Sequence, residues 1–519
     1  MTGLAGLATS YLTAAVLNVR EAPVVAVGEL VIRATPGNVA ERAIALVGQW
    51  DKPLLITGVV IGSVAVFVVA GLLGRSHVWL GTLAFTVLGT LAVVAVLTSP
   101  VDTQSGLIPV IVGYVTWLAA FGWLTAQLRR PSDAIPVSQP AVVAGASVNG
   151  ASVDGAPVDG AQVDGVSRRG FLVRVGVVTL VATGAAFGGR VWGAGARKVE
   201  QVRKLIRLDG VTMPVVPKGA RVGLPGVTAW QTPADQFYRI DTALAVPTID
   251  PQEWTLRIHG LVEREIEVTY QQLLDRQKTE MWVTINCVSN PVGGPLIGNA
   301  WWSGVRVADL LALAGPLEGA DAVLQTSEDG WTCSTPLAAL LDARNALLAV
   351  AMNGEPLPID HGFPVRTIVP GLYGYVSACK WVVDMRVTRF DKIAAYWTER
   401  GWSEQGPVKM SSRVDVPASG DKVPAGALRV GGVAWAQYTG IQGVEVSLDG
   451  GPWVPAEIGQ VPTNDAWVQW AATLQVAAGD HEVTVRAIDK LGEVQTGEVR
   501  DVVPDGATGW HSVDFTAEA

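Results

Sequence analysis

Cysteine and histidine are scarce in this chain of 519 residues, which has three cysteines and five histidines. The cysteines Cys287, Cys333 and Cys379 exclude a disulfide-stapled scaffold, and they form no C-x-x-C pair for zinc or an iron–sulfur cluster. Only His77 lies near an apolar run, so no haem held by two histidines is expected inside a membrane. The net charge of −9 argues against nucleic acid as a partner.

Charge is absent from three long apolar runs, which are Leu54–Gly74, Val78–Leu97 and Leu107–Leu128. Each is long enough to cross the ~30 Å of hydrocarbon in a bilayer. The first 19 residues are also uncharged and predict a fourth span, whereas Ala22–Lys52 contains prolines and charges typical of an interfacial segment. Residues 1–130 are therefore predicted to form a membrane region of about four helices in contact with lipid.

Basic residues predict the orientation of this region. Arg75 follows one span, Arg129 and Arg130 follow another, and the loop Ser99–Gly106 has neither lysine nor arginine. Because basic residues favour the cytoplasmic side, the N-terminus is expected there, in a plasma-membrane protein with several spans. Residues 131–166 should be a cytoplasmic linker, since residues 146–165 repeat Ala-x-Val-Asn/Asp-Gly four times and have little apolar surface to bury.

A second targeting feature follows the linker. Residues Ser167–Leu172 read Ser-Arg-Arg-Gly-Phe-Leu and precede a moderately apolar stretch, so residues 167–196 resemble a twin-arginine export signal and predict a fifth span. The two arginines also fit ordinary cytoplasmic flanking of a span. Ala194-Gly195-Ala196 is compatible with cleavage and with a retained anchor. Export would place the following domain outside the cytoplasm.

The segment Trp282–Gly294 organises the second half of the chain. Apolar residues alternate through Val283, Ile285 and Cys287, which predicts a buried strand, and the following prolines and glycines predict a loop. A cysteine at such a strand end suits a soft thiolate ligand beside an anionic cofactor. A buried cysteine acting as a small hydrophobe is an equal alternative from this motif alone.

Residues 197–409 are predicted to be an α+β domain. Predicted strands cover Trp254–His259, Met281–Cys287, Ala322–Thr326, Leu347–Met352 and Lys380–Val387. A capping box at Thr269 and the run Val307–Ala314 before Gly315 predict two helices.

Several short strings in this domain resemble the sulfite oxidase family of molybdopterin-dependent oxidoreductases. They occur in the family's order and are Phe237-Tyr-Arg239, Cys287-Val-Ser-Asn290, Asn299-Ala-Trp-Trp-Ser-Gly-Val305, Met352-Asn-Gly-Glu-Pro-Leu357, His361-Gly-Phe-Pro-Val-Arg366, Pro370-Gly371 and Lys380-Trp381. The resemblance implies that Cys287 is the catalytic residue and the one protein thiolate on molybdenum, in the molybdenum–molybdopterin cofactor. It also implies a cofactor-binding set, namely Phe237, Tyr238, Arg239, Asn290, His361, Arg366, Ser377 and Lys380.

The chain departs from the family where sulfite oxidases carry arginines for the sulfite anion. Pro291-Val292-Gly293 follows the cysteine motif, and Tyr373–Cys379 has no positive charge. A doubly charged oxyanion would lose charge-assisted hydrogen bonds worth ~1.5–3 kcal/mol each, so sulfite is a doubtful substrate. Tyr373, Tyr375 and the pair Trp301-Trp302 indicate either an aromatic pocket or core packing.

The remainder, residues 410–519, is predicted to be a β-sandwich of immunoglobulin type. Short alternating strands, among them Trp453–Glu457, and the hairpin signal Asp449-Gly450-Gly451 indicate this architecture, which resembles the dimer-forming sandwich of the same family. The closing Gly509–His511 is expected to pack on the catalytic domain. Cys333 and Cys379 are expected to be buried free thiols, with a disulfide as the alternative.

These features together predict a membrane-anchored molybdenum enzyme that transfers an oxygen atom to or from a small substrate of the sulfoxide, N-oxide or sulfite class. Its electrons would pass to or from a separate cytochrome or quinone-linked protein. The alternative is a non-catalytic extracytoplasmic binding module that has lost its metal site.

Overall fold

The computed structural model describes residues 1–17, 19, 22–36, 39, 47, 50–99, 103–126, 168–192 and 195–519. The whole predicted linker 131–166, which contains the repeats at 146–165, and Ala194 of the predicted cleavage site lie outside these ranges. The chain divides into two compact units, one formed by residues 1–33 and 49–194 and the other by residues 34–48 and 195–519.

The first unit consists of α-helices. They are α1 (Thr2–Val16), α2 (Pro23–Ala34), α3 (Asp51–Ser76), α4 (Val78–Leu97), α5 (Thr103–Thr125) and α6 (Arg168–Trp192). Three of the described helices, α3, α4 and α5, are long and apolar enough to cross a membrane, as predicted. Helix α1 has only 15 residues, so the predicted fourth span is shorter than a typical crossing.

Small residues bring the helices of this unit close together. A Cβ at Gly113 of α5 would lie only 2.9 Å from the Gly6 carbonyl oxygen of α1. Beside this crossing, the Trp117 indole N–H donates to the Gly3 carbonyl at 2.7 Å. Close backbone approach with a polar bond across helices is the usual way in which helices associate in lipid.

The second unit begins with helix α7 (Gly195–Leu205) and contains the predicted α+β domain. Its further helices are α8 (Tyr270–Leu274), α9 (Val307–Ala314), α10 (Leu337–Leu341) and α11 (Gly374–Ser377). Its strands are β1 (Thr255–Gly260), β2 (Ile266–Thr269), β3 (Thr279–Asn286), β4 (Ile297–Arg306), β5 (Ala322–Ser327), β6 (Thr332–Pro336), β7 (Leu347–Met352), β8 (Glu355–Pro356), β9 (Arg366–Ile368) and β10 (Val382–Thr388).

Two five-stranded sheets form this domain. One has the order β2-β1-β10-β5-β6, and the other has the order β3-β4-β7-β8 with β9 paired to β7. Both predicted helix signals are confirmed, because Thr269 and Gln272 form a reciprocal capping box and α9 ends at Gly315 with a positive φ of 70°. Strand β3 lies at an edge of its sheet and delivers Cys287 at its end.

The C-terminal domain is built from two sheets. Their strands are β11 (Ser411–Val416), β12 (Lys422–Pro424), β13 (Gly426–Trp435), β14 (Ile441–Leu448), β15 (Val454–Pro455), β16 (Glu457–Ile458), β17 (Val468–Val476), β18 (Gly479–Asp489) and β19 (His511–Glu518). The orders are β11-β13-β17-β16 and β12-β19-β18-β14-β15. Apolar residues of both sheets, including Trp470 and Phe515, share one core. The immunoglobulin type of this sandwich stays a prediction.

The predicted strand Trp453–Glu457 differs in detail from the structure. It is divided at Ala456, so that β15 pairs with β14 in one sheet and β16 pairs with β17 in the other. The hairpin before it is confirmed, since Asp449 and Gly450 have φ values of 52° and 68° and the Gly451 N–H donates to the Leu448 carbonyl.

Asn299 of β4 links three chain segments in the interior. It is fully buried, its side-chain N–H donates to the Trp230 carbonyl at 2.9 Å, and its side-chain oxygen accepts from the Thr284 hydroxyl at 3.1 Å. Its backbone N–H donates to the Thr232 hydroxyl. Removing this amide leaves the Thr284 hydroxyl without its buried acceptor, whereas the Trp230 carbonyl still accepts from the Trp467 indole N–H at 2.8 Å.

We therefore expect Asn299→Ala to lower the free energy of unfolding by about 1–3 kcal/mol. The measurement is denaturant unfolding of the full chain in detergent, followed by tryptophan fluorescence. Arg257→Ala, which removes an exposed ion pair with Glu265, is the control and should leave the transition unchanged. Equal transitions for the two variants would contradict the structural role of Asn299.

Candidate molybdenum cofactor site

The loop that begins at Cys287 is closed by its own hydrogen bonds. The Cys287 N–H donates to the Leu296 carbonyl at 2.9 Å, and the Leu296 N–H donates to the Asn290 side-chain oxygen at 2.9 Å. The Asn290 N–H donates back to the Cys287 carbonyl at 3.2 Å. Asn290 is therefore a loop-closing residue, and it holds Cys287 at the end of β3.

Cys287 is half-buried, and its thiol lies 2.9 Å from the Ser289 hydroxyl. Burial raises the pKa of the Cys287 thiol, although hydrogen bonds with Ser289 and Val288 act in the opposite direction. The thiol is therefore protonated at neutral pH in the protein alone. A bound metal would displace this proton, because metals bind the thiolate.

Two phenols lie near Cys287. Burial raises the pKa of Tyr238 far above its usual range, and charge on the Cys287 thiolate raises it further. Burial also raises the pKa of Tyr373 to about 12, with Asp505 and Cys287 acting in the same direction. Both side chains are therefore neutral hydroxyls that can donate a hydrogen bond beside the thiol.

Arg366 and Lys380 form a buried pair of cations. A single antiparallel β-bridge pairs the two residues. Both approach Gly362, where an added Cβ would lie 3.0 Å from Arg366 Cβ and 3.2 Å from Lys380 Cβ, so the close packing depends on glycine. Burial lowers the pKa of Arg366 to about 10 and that of Lys380 to about 8. The Arg366 guanidinium also lies over Trp302, 5.2 Å from the ring centre.

Two carboxylates partly neutralise this region. Asp241 accepts from Lys380 at 2.9 Å and from Arg239 at 3.0 Å, and Arg239 also contacts Asp360 at 3.1 Å. We call the residues Arg239, Asp241, Asp360, Arg366 and Lys380 the cation cluster. Its three cations exceed its two carboxylates by one positive charge, which favours binding of an anion.

His361 adds a neutral polar group to the cluster. Its Nε2 donates to the Ala234 carbonyl at 3.0 Å, so Nδ1 is the acceptor nitrogen of the neutral ring. Burial lowers the pKa of His361 to about 3, and the nearby Lys380 and Arg366 act in the same direction. The edge of Phe237 packs against this ring at a centroid distance of 5.8 Å.

Unsatisfied polar atoms show that this site is suited to a ligand. Arg366 Nε and His361 Nδ1 are buried and have no hydrogen-bond partner among the described residues. Buried polar atoms of this kind usually have a partner. A ligand that satisfies both needs an acceptor for Arg366 and a donor for His361. A pterin with a phosphate offers both, so the residues present fit the expected cofactor.

The cations near the Cys287 loop differ from the cation cluster because each is neutralised. Lys409, whose backbone N–H donates to the Tyr373 hydroxyl, lies 2.7 Å from Asp505. Arg413 donates to the Gly294 carbonyl at 2.8 Å and lies 2.6 Å from Asp415. Positive charge is therefore in excess in the cation cluster and balanced beside Tyr373 and the Cys287 loop.

The structure brings most of the predicted site residues together. Phe237, Arg239, His361, Arg366 and Lys380 converge at or beside the cation cluster, while Tyr238 lies near Cys287.

Ser377 is buried in α11, where its hydroxyl donates to the Leu372 and Tyr373 carbonyls. Its contact with a cofactor stays a prediction. Trp302 is core packing, since it is fully buried and its indole donates to the Val283 carbonyl. The Trp301 indole donates to Glu280 at 3.3 Å.

The carboxylates Asp241 and Asp360 and the hydroxyl of Ser289 were not predicted from the sequence as site groups. Asp241 and Ser289 each lie two residues from a predicted site residue, and Asp360 directly precedes His361. A buried lysine needs a counter-ion. An aspartate close in sequence to a predicted site residue could therefore have been predicted as that counter-ion. Cys333 and Cys379 are buried free thiols, as predicted.

Comparisons with known proteins agree with this site. A family profile described as "Oxidoreductase molybdopterin binding domain" matches residues 243–397, which contain Cys287, His361, Arg366 and Lys380. The fold and site define a molybdopterin-binding oxidoreductase domain. The chain is 30% identical over 335 residues to the sulfite oxidase of Gallus gallus, covering 54% of this chain and 72% of that protein. The chain therefore belongs to the sulfite oxidase family of molybdopterin-dependent oxidoreductases.

Other relatives match smaller shares. The mitochondrial sulfite oxidase of Homo sapiens is 29% identical over 310 residues, covering 50% of this chain and 56% of that protein. The uncharacterized oxidoreductase YuiH of Bacillus subtilis is 35% identical over 157 residues, covering 30% of this chain and 76% of that protein. The crystal structure of the sulfane dehydrogenase SoxCD from Paracoccus pantotrophus has a TM-score of 0.47 and 21% identity, covering 61% of this chain and 98% of that chain.

The lowered pKa of His361 predicts a contribution to acid sensitivity. The folded protein keeps His361 neutral down to about pH 3, whereas the unfolded chain takes up a proton below about pH 6.5. Stability should therefore fall between pH 6.5 and pH 4 more steeply in the wild type than in His361→Gln. Melting temperatures of cofactor-free protein across this range provide the measurement, and parallel pH profiles would contradict the prediction.

Proposed function

We propose that this chain is a membrane-anchored molybdenum cofactor-dependent oxidoreductase that reduces a small neutral oxide of the sulfoxide or N-oxide class outside the cytoplasm. The contrast in charge carries the proposal, since the cation cluster has a surplus positive charge while Lys409 and Arg413 near Tyr373 and the loop are each paired with an aspartate. The cation cluster favours an anionic cofactor. The region beside Tyr373 and the Cys287 loop favours a neutral substrate.

Different residues of the chain would bind different parts of this cofactor. Arg366, Lys380 and Arg239 would bind its phosphate, and His361 Nδ1 would accept a hydrogen bond from its pterin ring. Cys287 would supply the protein's thiolate ligand to molybdenum. When bound, the cofactor supplies oxygen-atom transfer coupled to two electrons.

Tyr238 and Tyr373 provide neutral hydroxyls beside Cys287. Either can donate a hydrogen bond to the oxygen of a sulfoxide or N-oxide, and so orient that oxygen toward the metal. Reduction of such an oxide consumes two electrons and two protons and yields the reduced substrate and water. A separate redox protein would supply the electrons.

Sulfite is less suited to this environment. Binding its two negative charges in a partly buried pocket requires cations that remain unpaired, and Lys409 already contacts Asp505 at 2.7 Å. Freeing Lys409 would leave Asp505 without its partner. The cost of breaking this ion pair offsets the gain from a new pair between Lys409 and sulfite.

The expected result of a substrate screen is a higher kcat/KM for sulfoxide or N-oxide reduction than for sulfite oxidation, by about tenfold or more, since each lost charge-assisted hydrogen bond is worth about that factor. The measurement uses purified, metal-loaded full chain with artificial electron carriers. Cys287→Ser should abolish turnover, because the metal loses its thiolate.

Cys333→Ala is the matched control for this screen. Cys333 is also a free thiol, although a fully buried one, and its loss should leave turnover near the wild-type value. A higher kcat/KM for sulfite would overturn the substrate assignment. Protein from a cofactor-competent host that folds without molybdenum would overturn the enzymatic function.

The proposed location depends on Arg168 and Arg169, which begin helix α6. Changing both to lysine keeps the charge and removes the twin-arginine motif, so the C-terminal half should remain in the cytoplasm. Protease accessibility of that half in intact spheroplasts provides the measurement.

Arg129 and Arg130, changed together to lysine, form the matched control, because they precede the linker and lie outside the motif. This control should export the C-terminal half normally. Normal export of the Arg168→Lys, Arg169→Lys variant would show that the segment is an ordinary membrane span.

A further inference from the structure

Strand β3, which delivers Cys287, has one edge that the catalytic domain does not cover. It lies at the end of the sheet order β3-β4-β7-β8 and pairs within this sheet only with β4. Thr284 and Asn286 near its end are nevertheless almost fully buried. Backbone groups on a buried strand edge need partners, and here those partners come from the C-terminal sandwich.

Two loops of the sandwich bind this edge. The Thr284 N–H donates to the Asp465 carbonyl at 2.8 Å, and the Trp467 N–H donates to the Thr284 hydroxyl at 2.8 Å. The side-chain amide of Gln437 donates to the Thr284 carbonyl at 3.2 Å and to the Asn286 side-chain oxygen at 3.3 Å. Gln437 is 5% exposed, so these bonds are shielded from water.

The sandwich also holds the loop that follows Cys287. Arg413 of β11 donates to the Gly294 carbonyl at 2.8 Å, to the Thr228 hydroxyl at 2.8 Å and to Asp415 at 2.6 Å. The His511 ring lies against Gly293, where an added Cβ would come within 2.1 Å of it. His511 in turn accepts from the Val414 N–H at 3.0 Å.

We infer that Arg413 and Gln437 are positioning residues for Cys287, and that the sandwich therefore forms part of the metal-ligand site. Gln437 contacts Asn286, the residue before Cys287, and Arg413 contacts Gly294, seven residues after Cys287. The chain is therefore held on both sides of the thiol. A ligand sulfur must be fixed closely for a defined metal geometry. This inference rests on the proposed function, in which Cys287 binds molybdenum.

The alkylation rate of each cysteine in cofactor-free full chain, resolved by peptide mass spectrometry, tests the inference without any metal. Arg413→Ala should raise the rate at Cys287 by about tenfold or more, because the loop opens more often once a buried charged donor is lost. Gln437→Met, which keeps the side-chain length, should raise it by a smaller factor. Cys333 and Cys379 are fully buried, and their rates should not change.

Arg486→Ala is the matched control, since Arg486 lies on β18 of the same sandwich and pairs with Glu445. It should leave all three rates unchanged. A parallel rise at all three cysteines would show that Arg413 only stabilises the whole domain, and an unchanged rate at Cys287 would show that it does not hold the loop. Either result would overturn the inference.

The metal-loaded protein provides a second readout. The electron paramagnetic resonance spectrum of its Mo(V) form depends on the thiolate geometry, so Arg413→Ala should shift or broaden it. Arg413→Lys, which keeps one donor for the Gly294 carbonyl, should restore it in part. A wild-type spectrum in Arg413→Ala would also overturn the inference. If the protein holds no molybdenum, only the proposed function is overturned. The alkylation rates of the cofactor-free protein would still test whether Arg413 and Gln437 position Cys287.

Discussion

The burial of more positive than negative charge in the cation cluster is the constraint on which the rest of the site depends. Arg366 is 3% exposed and Lys380 is 8% exposed, and taking such groups from water is unfavourable unless they are paired and hydrogen-bonded. Asp241 and Asp360 balance only part of this charge, and Arg366 Nε has no partner among the described residues. The folded chain is thus prepared for an anion such as the phosphate of the expected cofactor.

A second constraint is the incomplete edge of β3. The catalytic domain supplies the strand and the cysteine, but its own sheet pairs β3 on one side only. Gln437, Asp465 and Arg413 of the sandwich bind polar groups on the residues that flank Cys287. The two domains are consequently joined at the strand and the loop that flank the thiol, and a role for the sandwich follows from hydrogen bonding without any assumption about oligomers.

Much of the architecture was predictable because its signals are local. Uncharged runs located helices α3, α4 and α5, and the capping box at Thr269 and the glycine after α9 located two short helices. The site residues were predictable only through resemblance, since each motif is short. The expectation that Gly509–His511 packs on the catalytic domain is confirmed for His511, which contacts Gly293, whereas Trp510 packs edge-to-face with Trp453 within the sandwich.

The sequence by itself determined the order of the parts: apolar helices, a glycine-rich linker, an arginine pair, a cysteine at the end of a strand and a series of alternating strands. These depend on composition and on periodicity over a few residues. Only the tertiary structure decided that Asp241 pairs with Lys380, that His361 stays neutral and that Arg413 reaches the Cys287 loop. Those contacts join residues separated by more than 100 positions, and their energies depend on burial, which no local pattern encodes.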